Sequence, residues 1–146
     1  MIRRLLPFFI LSFLFAHAGG EIDGYVYTNS LEALQLAAER GYKYIELDLL
    51  MTEDSVLVAA HSWEEFNKWT GFPKDGSKAP RLDDFKKRLI HGRYTPLTAA
   101  EINSFFTQHD SLFLVTDKVS DPAVLAEYFP TLTQAHLRWL CHRAET

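Results

Sequence analysis

Two acidic residues at alternate positions of one apolar segment are the strongest chemical feature of this sequence. Glu46 and Asp48 lie within Tyr42–Met51, a run of aromatic and branched residues typical of a β-strand. Side chains two apart on a strand point to the same face, so the two carboxylates share a face. They repel each other on a buried strand unless a cation or hydrogen-bond donors compensate. Hard oxygen ligands favour Mg²⁺ or Ca²⁺, and a solvated edge strand is the alternative interpretation.

Three further apolar segments end in ionisable residues, which are His17, His61 and the pair Asp117 and Lys118. A lone histidine at a strand end is more often structural than catalytic, and Asp117-Lys118 alone equally fits an ordinary turn. Active sites of α/β folds, however, lie at the carboxyl ends of strands. We therefore expect these groups to converge with Glu46 and Asp48 into one site.

The order of the segments predicts an α/β fold. Strands are predicted over Phe8–His17, Tyr42–Met51, Val56–Ala60 and Ser111–Lys118. Helices are predicted over Leu31–Arg40, Leu82–Leu89, a segment opened by Thr98 and Glu101, Pro122–Phe129 and Thr133–Leu140. The spacing of Asn29 and Glu32 is that of a capping box, which also makes Asn29 a candidate helix N-cap. The segment Ser62–Pro96 is the least regular part of the sequence.

The N-terminal segment has two interpretations. Leu5 to Ala16 is apolar except for Ser12, and it is too short for a membrane-spanning helix of about 20 residues. It fits either a signal-peptide core, with a small-residue cleavage site at Ala18, or a fully buried strand. Cleavage would remove His17, which is one of the candidate active-site residues. We therefore favour the strand and a cytoplasmic protein. A signal would instead indicate a secreted or membrane-associated one.

Composition narrows the range of function classes. The 146 residues are 47% hydrophobic and 23% charged, which indicates one globular domain spanning residues 1–146. The net charge of −4, with no stripe of lysine and arginine, argues against a nucleic-acid partner. The single cysteine, Cys141, excludes an intrachain disulfide and a cysteine-cluster metal site.

A series of short motifs resembles the glycerophosphodiester phosphodiesterase family in order and spacing. The motifs are His17-Ala18-Gly19, Thr28-Asn29-Ser30, Glu46-Leu47-Asp48, Thr52-Glu53-Asp54 and Val58-Ala59-Ala60-His61. Two later segments, Thr95-Pro96-Leu97-Thr98 and Leu114–Lys118, are also similar to family segments. The sequence departs from the family pattern at four positions: Ala18 replaces Arg, Thr28 replaces Glu, Ser62 replaces Asp, and Asp117 replaces the commoner Glu.

The resemblance implies the N-terminal part of a (β/α)₈ TIM-type barrel, a fold that typically needs about 250 residues. It also implies metal-dependent hydrolysis of a small-molecule glycerophosphodiester. Under the resemblance, the metal ligands are Glu46, Asp48 and Asp117 and the cation is Mg²⁺ or Ca²⁺. The acid-base residues are His17 and His61, and the phosphate contacts are Asn29 and Lys118.

The sequence is also compatible with two other functions. The chain is alternatively a catalytically incomplete fragment or pseudoenzyme of the family, or an exported binding domain. Residues 131–146 match no family feature and form an atypical tail. A partial barrel has unpaired strand edges, on the first strand and on the Leu114 strand, and these edges predict aggregation or self-association.

Overall fold

A parallel β-sheet forms the centre of the computed structural model, which describes residues 15–132 and 137–139. Its strands are hydrogen-bonded in the order β1-β2-β4-β5, where β1 is Phe15–Ala16, β2 is Tyr44–Met51, β4 is Phe113–Asp117 and β5 is Leu137–Trp139. The short strand β3, Leu57–Ala59, returns antiparallel along the end of β2. This alternation of strands and helices confirms the predicted α/β class.

Within the part of the chain that the structure describes, five α-helices lie between the strands. They are α1 (Leu31–Glu39), α2 (Trp63–Trp69), α3 (Leu82–Phe85), α4 (Ala99–Gln108) and α5 (Pro122–Tyr128). The predicted capping box at α4 is confirmed, because Thr98 Oγ1 accepts from the Glu101 amide and the Glu101 carboxylate accepts from the Thr98 amide. Asp121 caps α5, which begins with Pro122 as expected.

The two faces of β2 separate the core from the candidate chemistry. Ile45, Leu47 and Leu49 are fully buried in a cluster with apolar side chains of α1, α4 and α5, among them Leu34, Ile102, Phe106 and Leu125. Each large side chain buried in this way stabilises the fold by roughly 1.5–3 kcal/mol. The same packing fixes the opposite face of β2, which carries Glu46 and Asp48. The alternation predicted from sequence is therefore confirmed.

A second apolar cluster lies under the segment that follows β3. Phe66 of α2 stacks on Phe85 of α3 with ring centroids 4.8 Å apart, and Trp63 packs edge-on to Phe66 at 5.9 Å. Sequence reasoning missed helix α2, and predicted a longer α3 that in fact ends at Phe85. The helix α2 forms because Ser62 Oγ accepts from the Glu65 amide and caps its first turn.

The side chain of Arg88 connects the parts of this segment. It is only 7% exposed and donates to Asn67 Oδ1 at 2.9 Å and to Asp75 Oδ2 at 3.1 Å. It also forms an ion pair with Asp84, and its guanidinium carbon lies 3.8 Å from the centroid of the Phe72 ring. One buried cation therefore holds α2, α3 and the turn between them.

Replacing Arg88 with Ala is expected to lower the free energy of unfolding by about 2–3 kcal/mol, because Asn67 and two carboxylates lose their partner. The estimate lies below that for a fully buried pair since both carboxylates are partly exposed. Chemical denaturation followed by circular dichroism measures the change. The control is Lys87→Ala, which removes an exposed pair with Asp83 at 3.9 Å and is expected to cost less than about 0.5 kcal/mol. Equal losses in the two variants would contradict the assigned role of Arg88.

The structure corrects the prediction for the C-terminal tail. Leu137–Trp139 is not part of a helix, because it pairs parallel with β4 from Leu114 to Thr116. The Leu114 strand therefore has a neighbour on each side, and the unpaired edge expected there is wrong. The rest of the predicted tail helix, and residues 8–14 of the predicted first strand, lie outside the described residues. Self-association stays a prediction.

Helix α1 begins at Leu31 as predicted, but its N-cap is not the predicted residue. Ser30, not Asn29, is the N-cap of α1, and its Oγ accepts from the Ala33 amide at 3.3 Å. Glu32 does not complete a capping box, because its carboxylate accepts from the amide and the hydroxyl of Thr95 at 2.8 and 2.7 Å. Tertiary contacts have replaced the local bonds that the spacing predicted.

Among the described residues, no helix combines the length and the apolar character needed to cross a membrane.

Candidate active site

Three carboxylates meet at the carboxyl end of the parallel sheet. Glu46 and Asp48 are 0% and 2% exposed on β2, and Asp117 ends β4 directly opposite Asp48 in the strand register. One carboxylate oxygen from each of the three lies within 4.8 Å of the others. The structure thus brings together all three residues that the sequence resemblance proposes as metal ligands.

His17 lies against this cluster from the end of β1. The chain turns sharply through a 3₁₀ turn at His17–Gly19, and Ala18 adopts a left-handed φ of 50°. This turn aims two donors at one oxygen: the Ala18 amide donates to Glu46 Oε2 at 2.8 Å, and His17 Nδ1 pairs with the same atom. More than half of the His17 side chain is exposed, so its ring is accessible from solvent.

Asn29 forms two hydrogen bonds with Asp48. Its Nδ2 donates to Asp48 Oδ2 at 3.1 Å and its Oδ1 accepts from the Asp48 amide at 3.0 Å. The side chain is fully buried, and its backbone has a left-handed φ of 49°. This contact with Asp48 differs from the phosphate contact that the resemblance implies for Asn29, which stays a prediction.

Lys118 joins the carboxylate cluster to the second histidine. Its Nζ lies 3.7 Å from Asp48 Oδ1 and also donates to the backbone carbonyl of His61. Lys118 has a left-handed φ of 67°, which turns the chain over the end of β4. The side chain is about one-third exposed, so it is placed between the buried carboxylates and solvent.

Tyr27 lies between the two histidines, and sequence reasoning did not single it out. Its ring centroid is 5.6 Å from that of His17 and 4.7 Å from that of His61. Both histidines therefore lie at the same end of the sheet, as predicted. Tyr27 has a φ of 62°, an unusual conformation for a bulky residue. Left-handed residues cluster around this site, namely Ala18, Tyr27, Asn29 and Lys118, and such strain concentrates at functional sites.

The donor set fits a hard divalent cation. Glu46 Oε1 is buried and has no hydrogen-bond partner among the described residues. Burial raises the pKa of Glu46 above its ordinary value of 4.5, and the charges of Asp48 and Asp117 raise it further against the Ala18 amide and His17, which lower it. A cation held by these oxygens would offset the repulsion and use the unpartnered atom. Three carboxylates are suitable ligands for Mg²⁺ or Ca²⁺.

The raised pKa of Glu46 predicts how Glu46→Gln changes stability when EDTA removes divalent cations. A carboxyl with a raised pKa in the folded state opposes folding once it ionises, and the neutral amide does not. The variant is therefore expected to be more stable than the wild type above the raised pKa. The advantage should disappear as the pH falls below about 4.5, where both side chains are neutral. Denaturant unfolding in EDTA between pH 4 and 8 measures it, and an advantage that grows toward acid pH would contradict this expectation.

The sequence matches one protein-family model over most of its length. Residues 18–140 match the Glycerophosphoryl diester phosphodiesterase family. The chain belongs to this family. Its members are phosphodiesterases, and the resemblance proposed from the motifs is confirmed. No curated protein sequence matches the chain with significance.

Solved structures of similar proteins share the fold. A candidate glycerophosphodiester phosphodiesterase from Galdieria sulphuraria matches with a TM-score of 0.66 and 20% identity, over 86% of this chain and 54% of its own. A glycerophosphoryl diester phosphodiesterase from Parabacteroides distasonis matches at 0.64 and 17%, over 86% and 45%. An Oleispira antarctica phosphodiesterase in complex with sn-glycerol-3-phosphate matches at 0.63 and 21%, over 86% and 55%. The chain spans about half the length of each, so the predicted partial barrel is confirmed.

Two departures from the family pattern have visible structural consequences. Ala18 is fully buried and its methyl side chain has no polar group, so it contributes to the site through its backbone: its amide donates to Glu46 Oε2, and its carbonyl accepts from the Asn29 amide at 3.2 Å. Thr28 is also buried, and its hydroxyl pairs with Ser30 Oγ at 3.1 Å next to the start of α1. The arginine and glutamate that the resemblance implies at these two positions are thus replaced by uncharged residues.

Proposed function

We propose that this chain is a divalent-cation-dependent phosphodiesterase that hydrolyses a glycerophosphodiester to an alcohol and a glycerol phosphate. The observation that supports this function is the convergence of a buried carboxylate cluster with two histidines at one end of the sheet. Membership of a phosphodiesterase family supports the reaction class. The glycerol phosphate bound to the similar Oleispira antarctica protein supports this class of product.

Glu46, Asp48 and Asp117 are the proposed cation ligands. A bound Mg²⁺ or Ca²⁺ supplies positive charge that stabilises the developing negative charge on the phosphate oxygens. The Ala18 amide and Asn29 orient two of these carboxylates through hydrogen bonds. Such outer contacts orient the ligands of a metal site, and their loss typically lowers metal affinity or activity about 10- to 100-fold.

His17 and His61 are the proposed acid-base pair. One ring accepts a proton from the attacking water or hydroxyl as a new bond to phosphorus forms. The other ring donates a proton to the alkoxide oxygen as its bond to phosphorus breaks, because an unprotonated alkoxide is a poor leaving group. One ring gains a proton and the other loses one, so the net charge of the pair does not change, and proton exchange with solvent restores the starting state of each ring.

Lys118 is the proposed phosphate-binding cation of the protein itself. It lies at the cluster beside Asp48 and His61, where an ammonium group can contact a phosphate oxygen as a point charge. Asn29 is the second residue proposed to contact phosphate. It lies beside Asp48, one of the proposed cation ligands, to which it is hydrogen-bonded.

The direct test is hydrolysis of glycerophosphocholine by the purified chain. We expect glycerol phosphate to be released in the presence of Mg²⁺ or Ca²⁺ and release to stop when EDTA is added. Because the chain spans about half the length of its structural relatives, its turnover is expected to be lower than that of a full-length relative. An enzyme-coupled assay for glycerol phosphate measures the rate. Absence of turnover with every divalent cation would instead favour a catalytically incomplete member of the family.

A further inference from the structure

A carboxylate outside the cluster of Glu46, Asp48 and Asp117 contacts the second histidine. Glu65 Oε2 is the partner of His61 Nδ1, and it also accepts from Ser62 Oγ at 3.3 Å. We propose that Glu65 is a positioning residue that fixes the ring and the tautomer of His61. The proposal rests on the proposed function, in which His61 transfers a proton.

Helix α2 holds Glu65 in a fixed place relative to His61. Ser62 Oγ caps the helix by accepting from the Glu65 amide at 3.2 Å. The next residue, Phe66, is 3% exposed and stacks on Phe85, so the first turn of α2 is anchored in the second apolar cluster. Glu65 follows His61 by four residues and reaches back over one turn, as (i, i+4) neighbours do.

The bond determines which nitrogen of His61 carries the proton. An ionised carboxylate only accepts hydrogen bonds, so Nδ1 of a neutral His61 ring must carry the hydrogen. The lone pair of the neutral ring is then on Nε2, which is the atom left to exchange protons with a substrate. Glu65 therefore selects the reactive nitrogen as well as the orientation of the ring.

Two further contacts hold His61 in place. The Tyr27 ring lies against the His61 ring at 4.7 Å, and Lys118 Nζ donates to the His61 carbonyl. Neither contact involves Nδ1, so among these contacts the one with Glu65 selects the tautomer.

The two histidines are paired with different carboxylates. His17 pairs with Glu46, a member of the cluster proposed to bind the cation. Glu65 is not one of the three carboxylates of that cluster, and its oxygen remains with His61 and Ser62. In a capping box, the third helical residue binds the N-cap amide. Ser62 and Glu65 have the spacing of a capping box, but the Glu65 carboxylate is bonded to His61, the residue before the N-cap.

Nitrogen-15 NMR of the histidine rings tests the tautomer without any assay of turnover. The His61 signals are assigned with a His61→Gln variant. We expect the neutral ring to carry its proton on Nδ1 in the wild type and in Glu65→Gln, whose amide oxygen still accepts the bond. In Glu65→Ala the proton should move to Nε2, the tautomer favoured by a free ring. An unchanged tautomer in Glu65→Ala would overturn the proposal.

Kinetics separate positioning from a purely structural role. We expect Glu65→Ala to lower kcat about 10- to 100-fold with KM changed less than about two-fold, and Glu65→Gln to lie between it and the wild type. Glu64→Ala, an exposed carboxylate in the same helical turn, is the matched control and should match the wild type. Equal losses in both alanine variants would reject the proposal. If the wild type shows no turnover with any cation, the proposed function fails, while the NMR result still decides the role of Glu65.

Discussion

Replacing Glu46 with Gln is expected to weaken Mg²⁺ or Ca²⁺ binding by about 100-fold. The change removes one unit of ligand charge from a buried cluster while keeping the length and shape of the side chain. It also replaces the unpartnered Oε1 or its neighbour with an amide nitrogen, which repels a cation. Calorimetric titration of the EDTA-treated proteins with Mg²⁺ or Ca²⁺ measures the affinity of the wild type and of the variant. Turnover should fall in parallel if the cation is required for it.

A matched control distinguishes ligation from a general change of charge. Glu53 is exposed in the turn after β2, and Glu53→Gln removes the same charge outside the cluster. We expect its affinity to remain within about two-fold of the wild type, because a solvated charge is strongly screened. Unchanged affinity in Glu46→Gln would reject Glu46 as a ligand.

The site was predictable from sequence where it depends on local periodicity and chain direction. The two-residue repeat of β2 places Glu46 and Asp48 on one face, and the parallel register places Asp117 beside them. His17 follows β1 at the same end of the parallel sheet. His61 follows β3, which runs antiparallel to β2, and it lies near the site because β3 returns beside Asp48, whose carbonyl accepts from the Ala60 amide. These features require no knowledge of side-chain packing, because the strand geometry alone determines them.

The parts that sequence reasoning missed depend on contacts between distant residues. Asn29 and Ser30 are both good N-caps by type, and the choice between them follows from the bonds of Asn29 to Asp48. The strand Leu137–Trp139 exists through its pairing with β4, although its sequence also suits a helix. The pair of His61 and Glu65 was detectable in principle, since its spacing is that of one helical turn, but helix α2 itself was not predicted.

Replacing His17 or His61 with Gln is expected to lower kcat by about 10²- to 10⁴-fold, because Gln can form hydrogen bonds but cannot exchange protons near neutral pH. Both rings lie at the surface of the site, and neither is part of the buried apolar core. Unfolding midpoints should therefore stay close to that of the wild type. Steady-state kinetics at saturating Mg²⁺ or Ca²⁺ measures the loss.

The control for these substitutions is His109→Gln. His109 is exposed at the end of α4, where its Nδ1 contacts the Phe105 carbonyl and its ring stacks on Phe105. This variant should keep wild-type turnover, and a comparable loss in it would show that the assay reports histidine replacement in general.

The double variant of His17 and His61 shows whether the two rings act together. If they serve one concerted displacement, each single variant already removes the shared pathway, and the double variant should lose little more than the poorer single variant. Independent contributions would instead multiply, and the double loss would equal the product of the two single losses. Tyr27 lies in contact with both rings, so the two sites are close enough to couple. We expect the non-additive result, because proton removal from the attacking oxygen and proton delivery to the leaving oxygen lower the same barrier.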